Sequence, residues 1–258
     1  MLEKNPLKEK LAAGKACLGT WNTLASPLVT DALAHSGLDF VIVDMEHGAF
    51  KPDLIGPAVS ACEARGVSAL VRMPALEDWL VLQALDQGAH GVVIPHIESA
   101  EDAKKLVSYA KYHPLGTRGF TPFPKGGGFT GQGAATYAAR ANLLTMTAAI
   151  VESKAGLDAL DGILGVEGLD VVYFGAYDLS QALGVPGQVD SPALLKVIED
   201  GVRRARKAGK AAGGFVPRSR EHLKRCLDMG MTFITYEVDS SALARPYAEA
   251  AAWLREGQ

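Results

Sequence analysis

The chain has 258 residues, 48% hydrophobic and 21% charged, with a formal net charge of −3. That slightly acidic balance excludes the basic face on which nucleic-acid binders rely. No apolar run approaches the roughly 20 residues of a membrane span, and the mixed-charge opening M-L-E-K-N-P-L-K-E-K has no signal-peptide core.

The predicted elements alternate in type along the chain. Residues 5–14 form a leading helix ended by Gly14, and 17–21 a first strand. A helix over 27–35 follows, with Ser26 at its N-cap and Pro27 in its first turn. The second strand is 39–44, followed by a helix over 52–64. The third is 68–73 with a helix over 77–87, and the fourth 90–95 with a helix over 99–109 opened by a Ser99–Asp102 capping box. Residues 113–133 then break the pattern with prolines and the run Gly126-Gly127-Gly128, as a functional or mobile segment does. After a helix over 137–144 come a fifth strand (146–152), a helix (155–164) and a sixth strand (170–175). A second insertion occupies 179–191, before a long amphipathic helix over 192–208. Strand 211–216 with helix 218–229 and strand 232–237 with helix 240–255 complete the chain.

Eight strand–helix units predict one (β/α)8 TIM barrel domain over residues 1–258. A doubly wound sheet would want a G-x-G-x-x-G turn after its first strand, and here N-T-L-A-S-P follows Trp21. Cys17, Cys62 and Cys226 form no CxxC pair and read as reduced thiols of a cytoplasmic protein.

In a barrel the chemistry sits at the C-terminal ends of the strands. The stretch F-V-I-V-D-M-E-H-G at 40–48 is a buried strand running straight into Asp44, Glu46 and His47, which are first candidates for metal ligands. Arg72, Glu152 and Asp178 stand at or just past other strand ends, and Asp86, near the end of a helix, is expected close to the same rim. Singly, each has an ordinary structural reading, as a helix cap, a rim ion pair or a loop histidine. Together they combine cation-binding acids, a fixed positive charge and a base for proton transfer near neutral pH. No lysine ends a strand as a Schiff-base former would; Lys154 is the nearest candidate.

The segments D-M-E-H-G (44–48), V-R-M-P (71–74), L-D-Q-G-A (85–89), V-V-I-P (92–95), V-E-S-K (151–154) and V-E-G-L-D-V-V-Y-F-G-A-Y-D-L-S-Q-A-L-G (166–184), in that order, resemble the HpcH/HpaI family of metal-dependent class II pyruvate aldolases. The resemblance runs from G-T-W at 19–21 to the last helix. It implies Glu152 and Asp178 as ligands of a divalent metal, and a pair of carboxylates favours Mg2+ or Mn2+, with Co2+ or Zn2+ as substitutes. It implies Arg72 on the enolate oxygen and a His47–Asp86 dyad moving the aldol proton. Trp21, Gly175 and Ala176 join Arg72 as substrate-contact candidates, and Asp44 and Glu46 become supports of the site.

The implied reaction is cleavage of a 4-hydroxy-2-oxo acid to pyruvate, or a related 2-oxo acid, and an aldehyde. The alternative is a citrate-forming condensation of oxaloacetate with acetyl-CoA on the same fold. The implied assembly is a homo-hexamer, a trimer of dimers, with the last helix swapped between subunits. Two departures bear on the substrate: Ile150 stands where many relatives carry Gln, and Ala176-Tyr177 stands where many carry Pro-Ala. The loop 121–132 is a further candidate specificity element, or else a mobile lid or subunit-contact loop.

Overall fold

A computed structural model of the chain describes residues 3–256. Strands β1 (Cys17–Asn22), β2 (Phe40–Asp44), β3 (Ser68–Arg72), β4 (Gly91–Ile94), β5 (Met146–Val151), β6 (Val171–Phe174), β7 (Ala211–Val216) and β8 (Phe233–Val238) pair in parallel in chain order. β8 returns to β1 and closes the barrel, with a register shift between Gly19 and Trp21. Helix α1 (Pro6–Ala12) precedes the barrel, and α2 (Pro27–His35), α3 (Pro52–Ala64), α4 (Asp78–Asp86) and α5 (Ala100–Ala110) follow the first four strands. α6 (Ala134–Leu144), α7 (Lys154–Asp158), α8 (Leu160–Leu164), α9 (Ala176–Ala182), α10 (Pro192–Lys207), α11 (Arg220–Met229) and α12 (Asp239–Glu256) complete the order.

Alternation along each strand sorts the apolar residues into two cores. Val41 and Val43 of β2 face outward with Ala69 and Val71 of β3, into the layer beneath the helices. Phe40 and Ile42 face inward with Leu70, Met146 and Phe233. Such a barrel needs both faces of its strands covered, which is why β2 reads as an unbroken apolar run. The inner layer is fitted by size: Phe40 stacks on Phe233 at 4.3 Å, and a Cβ at Gly19 would lie 2.4 Å from the Phe40 ring. Leu7 of α1 is fully buried in that inner core. Asn5 anchors α1 by donating to the His90 and Leu144 carbonyls.

Three expectations change. The helix expected over 155–164 is two short ones meeting at Ala159, whose ψ of 1° takes it out of the helical run; an alanine gives no such signal in sequence. The insertion expected at 179–191 begins as helix α9, so Asp178 lies in a first helical turn. The glycine-rich segment 113–133, which includes a 3-10 turn at Lys125–Gly127, lies between α5 and α6, in the connection that returns the chain to the start of β5. It therefore packs at the N-terminal end of the barrel, where Arg118 pairs with Asp86 and Lys125 with Glu63, and cannot serve as a lid over its own barrel mouth.

Candidate active site

The register of β2 against β3 sets Asp44 directly beside Arg72. Asp44, only 1% exposed, accepts from Arg72 Nε at 2.8 Å and Nη2 at 2.5 Å. Its Oδ1 also accepts from the backbone N–H groups of Glu46 and His47, fixing the turn after the strand. Glu46 reaches Arg72 Nη1 at 3.1 Å, and the guanidinium lies 4.2 Å over the Trp21 ring. Burial works against the Arg72 charge, but the hydrogen bonds and charge of Asp44, helped by Glu46, outweigh it and hold the group above the usual arginine range. Three of its five N–H groups are committed, leaving two to meet a ligand.

Trp21 is itself held. Its Nε1 donates to Thr235 Oγ1 at 3.0 Å, which also bonds the buried Tyr173 hydroxyl at 2.7 Å. These rings, with Ile150, form the floor of a cavity of about 480 Å3 at the C-terminal end of the barrel. Glu152 and Asp178 line the same cavity. Glu152 is buried, and its Oε1 accepts the His96 backbone N–H at 2.8 Å and lies 3.0 Å from His96 Nδ1. Burial foremost raises its proton affinity; His96 relieves this in part, and the charges of Asp178 and Glu46 add to it.

Gly175 makes room for that carboxylate: a Cβ there would meet Glu152 Cβ and Oε2, each at 2.8 Å. Asp178, exposed at the start of α9, supplies the second carboxylate. Among the described residues no three His, Cys, Asp or Glu side chains converge as a closed metal centre would.

The cavity thus collects Trp21, His47, Arg72, Glu152, Gly175, Ala176 and Asp178, as the sequence suggests. Asp86 does not join them. A helix following a barrel strand runs back toward the N-terminal end, so the last residue of α4 lies away from the rim, where Arg118 Nη2 donates to it at 2.7 Å. His47, 69% exposed, has Glu46 as its nearest carboxylate at 4.0 Å. Among the described residues His47 and Asp86 form no hydrogen bond or ion pair with each other, so the expected dyad is not made within one chain.

Sequence reasoning missed two residues of the rim. His96, at a left-handed φ of 54°, bridges Glu152 and Glu46; the only hint is its place after V-V-I-P at a strand end. Glu237, at φ 57°, is the penultimate residue of β8 and accepts from the Arg218 backbone N–H and from Arg245. Non-glycine residues held in this conformation cluster at functional sites.

A (β/α)8 barrel whose mouth gathers a locked guanidinium and two carboxylates in one cavity has the makings of an enzyme. The chain belongs to the HpcH/HpaI aldolase/citrate lyase family, whose model matches residues 18–246. It is 34% identical over 251 residues to the hydroxypyruvate/pyruvate aldolase of Roseovarius nubinhibens, covering 93% of each chain. It is 32% identical over 257 residues to the 2-keto-3-deoxy-L-rhamnonate aldolase of Escherichia coli, covering 100% of this chain and 96% of that one. Among solved structures, the HpcH/HpaI aldolase of Desulfitobacterium hafniense superposes with a TM-score of 0.91 at 34% identity, covering 97% of this chain and 96% of that one. The citrate synthase SbnG superposes at 0.87 and 28% identity, covering 98% and 99%.

Proposed function

We propose that this carbon–carbon lyase cleaves a 4-hydroxy-2-oxo acid to pyruvate, or a close 2-oxo acid, and an aldehyde, and runs the reverse addition. The observation that carries the reading is the locked Arg72 sharing one cavity with the Glu152–Asp178 pair. Breaking a carbon–carbon bond beside a ketone leaves an enolate. Arg72, with two free N–H groups and a fixed orientation, donates to the oxygen on which that charge develops, at no cost in reorganisation. Trp21 and Tyr173 keep the floor apolar and so strengthen that interaction.

The donor set fits a divalent cation. Glu152 and Asp178 would hold it: both are hard oxygen donors, and burial foremost, with the charge of Asp178, disfavours the charge of Glu152 until a cation compensates it. Such a set suits Mg2+ or Mn2+, with Co2+ or Zn2+ as substitutes. Bound there, the cation supplies Lewis-acid polarisation of the keto group. His96 fixes Glu152 through Oε1 and leaves Oε2 on the Gly175 side.

His47 moves the proton of the aldol hydroxyl. Since Asp86 lies at the far end of its own barrel, a His47–Asp86 dyad forms between copies of the chain. The same assembly accounts for α12, where Asp239 is the one residue buried while Leu243, Tyr247, Trp253 and Leu254 are exposed. It also accounts for the exposed Phe120, Phe123 and Phe129 of the glycine-rich segment. We take the assembly to be a homo-hexamer, a trimer of dimers, with α12 docked on a neighbour. Among the described residues no helix is long and apolar enough to cross a membrane. The three cysteines are buried free thiols, which suits a cytoplasmic enzyme.

Pyruvate release from a 4-hydroxy-2-oxo acid, followed with lactate dehydrogenase, should require added Mg2+ or Mn2+ and stop with EDTA. Undiminished release after exhaustive chelation would overturn the metal assignment, and no release with any metal the aldolase reading. The likeness to SbnG supports a second reading, citrate formation. Thiol release from acetyl-CoA with oxaloacetate would identify it.

A further inference from the structure

We infer that the acceptor half of this cavity selects aldehydes with an apolar, aromatic body, and that Tyr177 is the residue that sets this preference. The inference rests on the aldolase reading and adds the aldehyde class to it. Tyr177 directly precedes Asp178 in α9, so the turn that brings the carboxylate to the cavity also brings this ring to its mouth. The ring is 55% exposed, a large apolar surface left to water beside a reaction centre. Phe215 of β7 lies against it, with centroids 5.9 Å apart and planes tilted by 55°. Ile150, on the cavity floor, continues the apolar wall inward. A flat apolar group covering this pair removes aromatic area from water and gains ring–ring contact.

Charge and hydrogen bonding argue against the other aldehyde classes. Among the described residues of one chain, Arg72 is the one arginine or lysine lining the cavity, and it is committed to Asp44, Glu46 and the oxo acid. The carboxylates around the mouth, Glu237 paired with Arg245 and Asp178 assigned to the cation, give the carboxylate of a semialdehyde no partner. A polyhydroxylated tail fares little better. Thr23 Oγ1 donates to Asp239 at 2.6 Å, Ser241 Oγ accepts from Arg245, and Glu237 accepts from both Arg245 and the Arg218 N–H. The cavity of about 480 Å3 leaves room for a ring beyond a three-carbon acid. In the addition direction the pyruvate methyl carbon gives up a proton, the resulting enolate carbon bonds to the aldehyde carbon, and the new alkoxide takes a proton. Cleavage is the reverse, and no oxidant or reductant enters.

The test uses the full chain with Mn2+. First, loss of the pyruvate methyl protons in D2O is followed by NMR. Then kcat/KM is measured with pyruvate and, in turn, benzaldehyde, succinic semialdehyde and glyceraldehyde, with products identified by mass. We expect methyl exchange and the highest kcat/KM with benzaldehyde. In Tyr177→Ala the benzaldehyde-to-glyceraldehyde ratio should fall about tenfold or more, chiefly through the KM for benzaldehyde, and Tyr177→Phe should restore it. Exchange with a preference for either polar aldehyde would overturn this inference and leave the aldolase reading standing, as would a ratio unmoved in Tyr177→Ala. No exchange with any divalent metal would overturn both.

Discussion

Replacing Gly175 by alanine probes the carboxylate site through a single methyl group. The added Cβ would sit 2.8 Å from Glu152 Cβ and Oε2, whereas ordinary contact begins near 3.4 Å, so these atoms must separate by about 0.6 Å. Glu152 has little freedom to yield, because its Oε1 is held by the His96 N–H and imidazole and its side chain is buried. Metal–ligand distances tolerate only about 0.2 Å. The expected result is therefore a 10–100-fold loss of Mn2+ affinity, about 1.4–2.8 kcal/mol, comparable to losing an orienting partner of a metal ligand.

Overpacking also costs fold stability, about 1–3 kcal/mol, which for a chain of this size lowers Tm by roughly 2–12 °C. The assay is titration of free Mn2+ by electron paramagnetic resonance at 25 °C, beside thermal unfolding in EDTA to show that the variant is folded. Wild-type Mn2+ affinity in a folded Gly175→Ala protein would falsify the assignment of Glu152 to the metal.

Three other expectations can be measured directly. Arg72→Ala strips the buried Asp44 of both its side-chain donors; it should cost about 3–5 kcal/mol in urea unfolding and lower turnover about 10²–10³-fold. If the pair is coupled as drawn, Asp44→Ala added to it costs much less than it does alone. His90 is buried, and its pKa is pushed down from 6.5 to about 4, chiefly by burial. Only the unfolded chain takes up its proton in that window, so the contribution, about 3 kcal/mol, is complete above pH 6.5 and lost as pH falls toward 4. In His90→Asn the urea midpoint should depend less steeply on pH between 6.5 and 4; an unchanged slope would refute this. Tyr247→Glu with Leu254→Glu, both exposed on α12, should reduce the mass seen by light scattering while the circular dichroism stays that of an α/β barrel. An unchanged mass would exclude α12 from the subunit contacts.

The sequence by itself determined the barrel and most of its rim. The eight apolar runs, their spacing and the polar residues at their ends report short-range periodicity, and a parallel strand covered on both faces must show it. Arg72, Glu152, Asp178 and His47 were legible because a strand end is a local feature. What only the tertiary structure decided is which of these residues touch. Asp44 locks Arg72 through the register of two strands 28 positions apart, and His96 and Gly175 shape Glu152 from two other strand ends.

The direction of the chain decided the rest. Asp86 and the glycine-rich segment carry residue types suited to a site, but one ends a helix and the other belongs to the connection between α5 and β5, so both lie at the end of the barrel away from their own cavity. Likewise the apolar face of α12 reads equally well as closing its own barrel or meeting another, and only the packing leaves it uncovered. Periodicity fixes which face of an element is apolar; what covers that face depends on contacts between residues far apart in the chain.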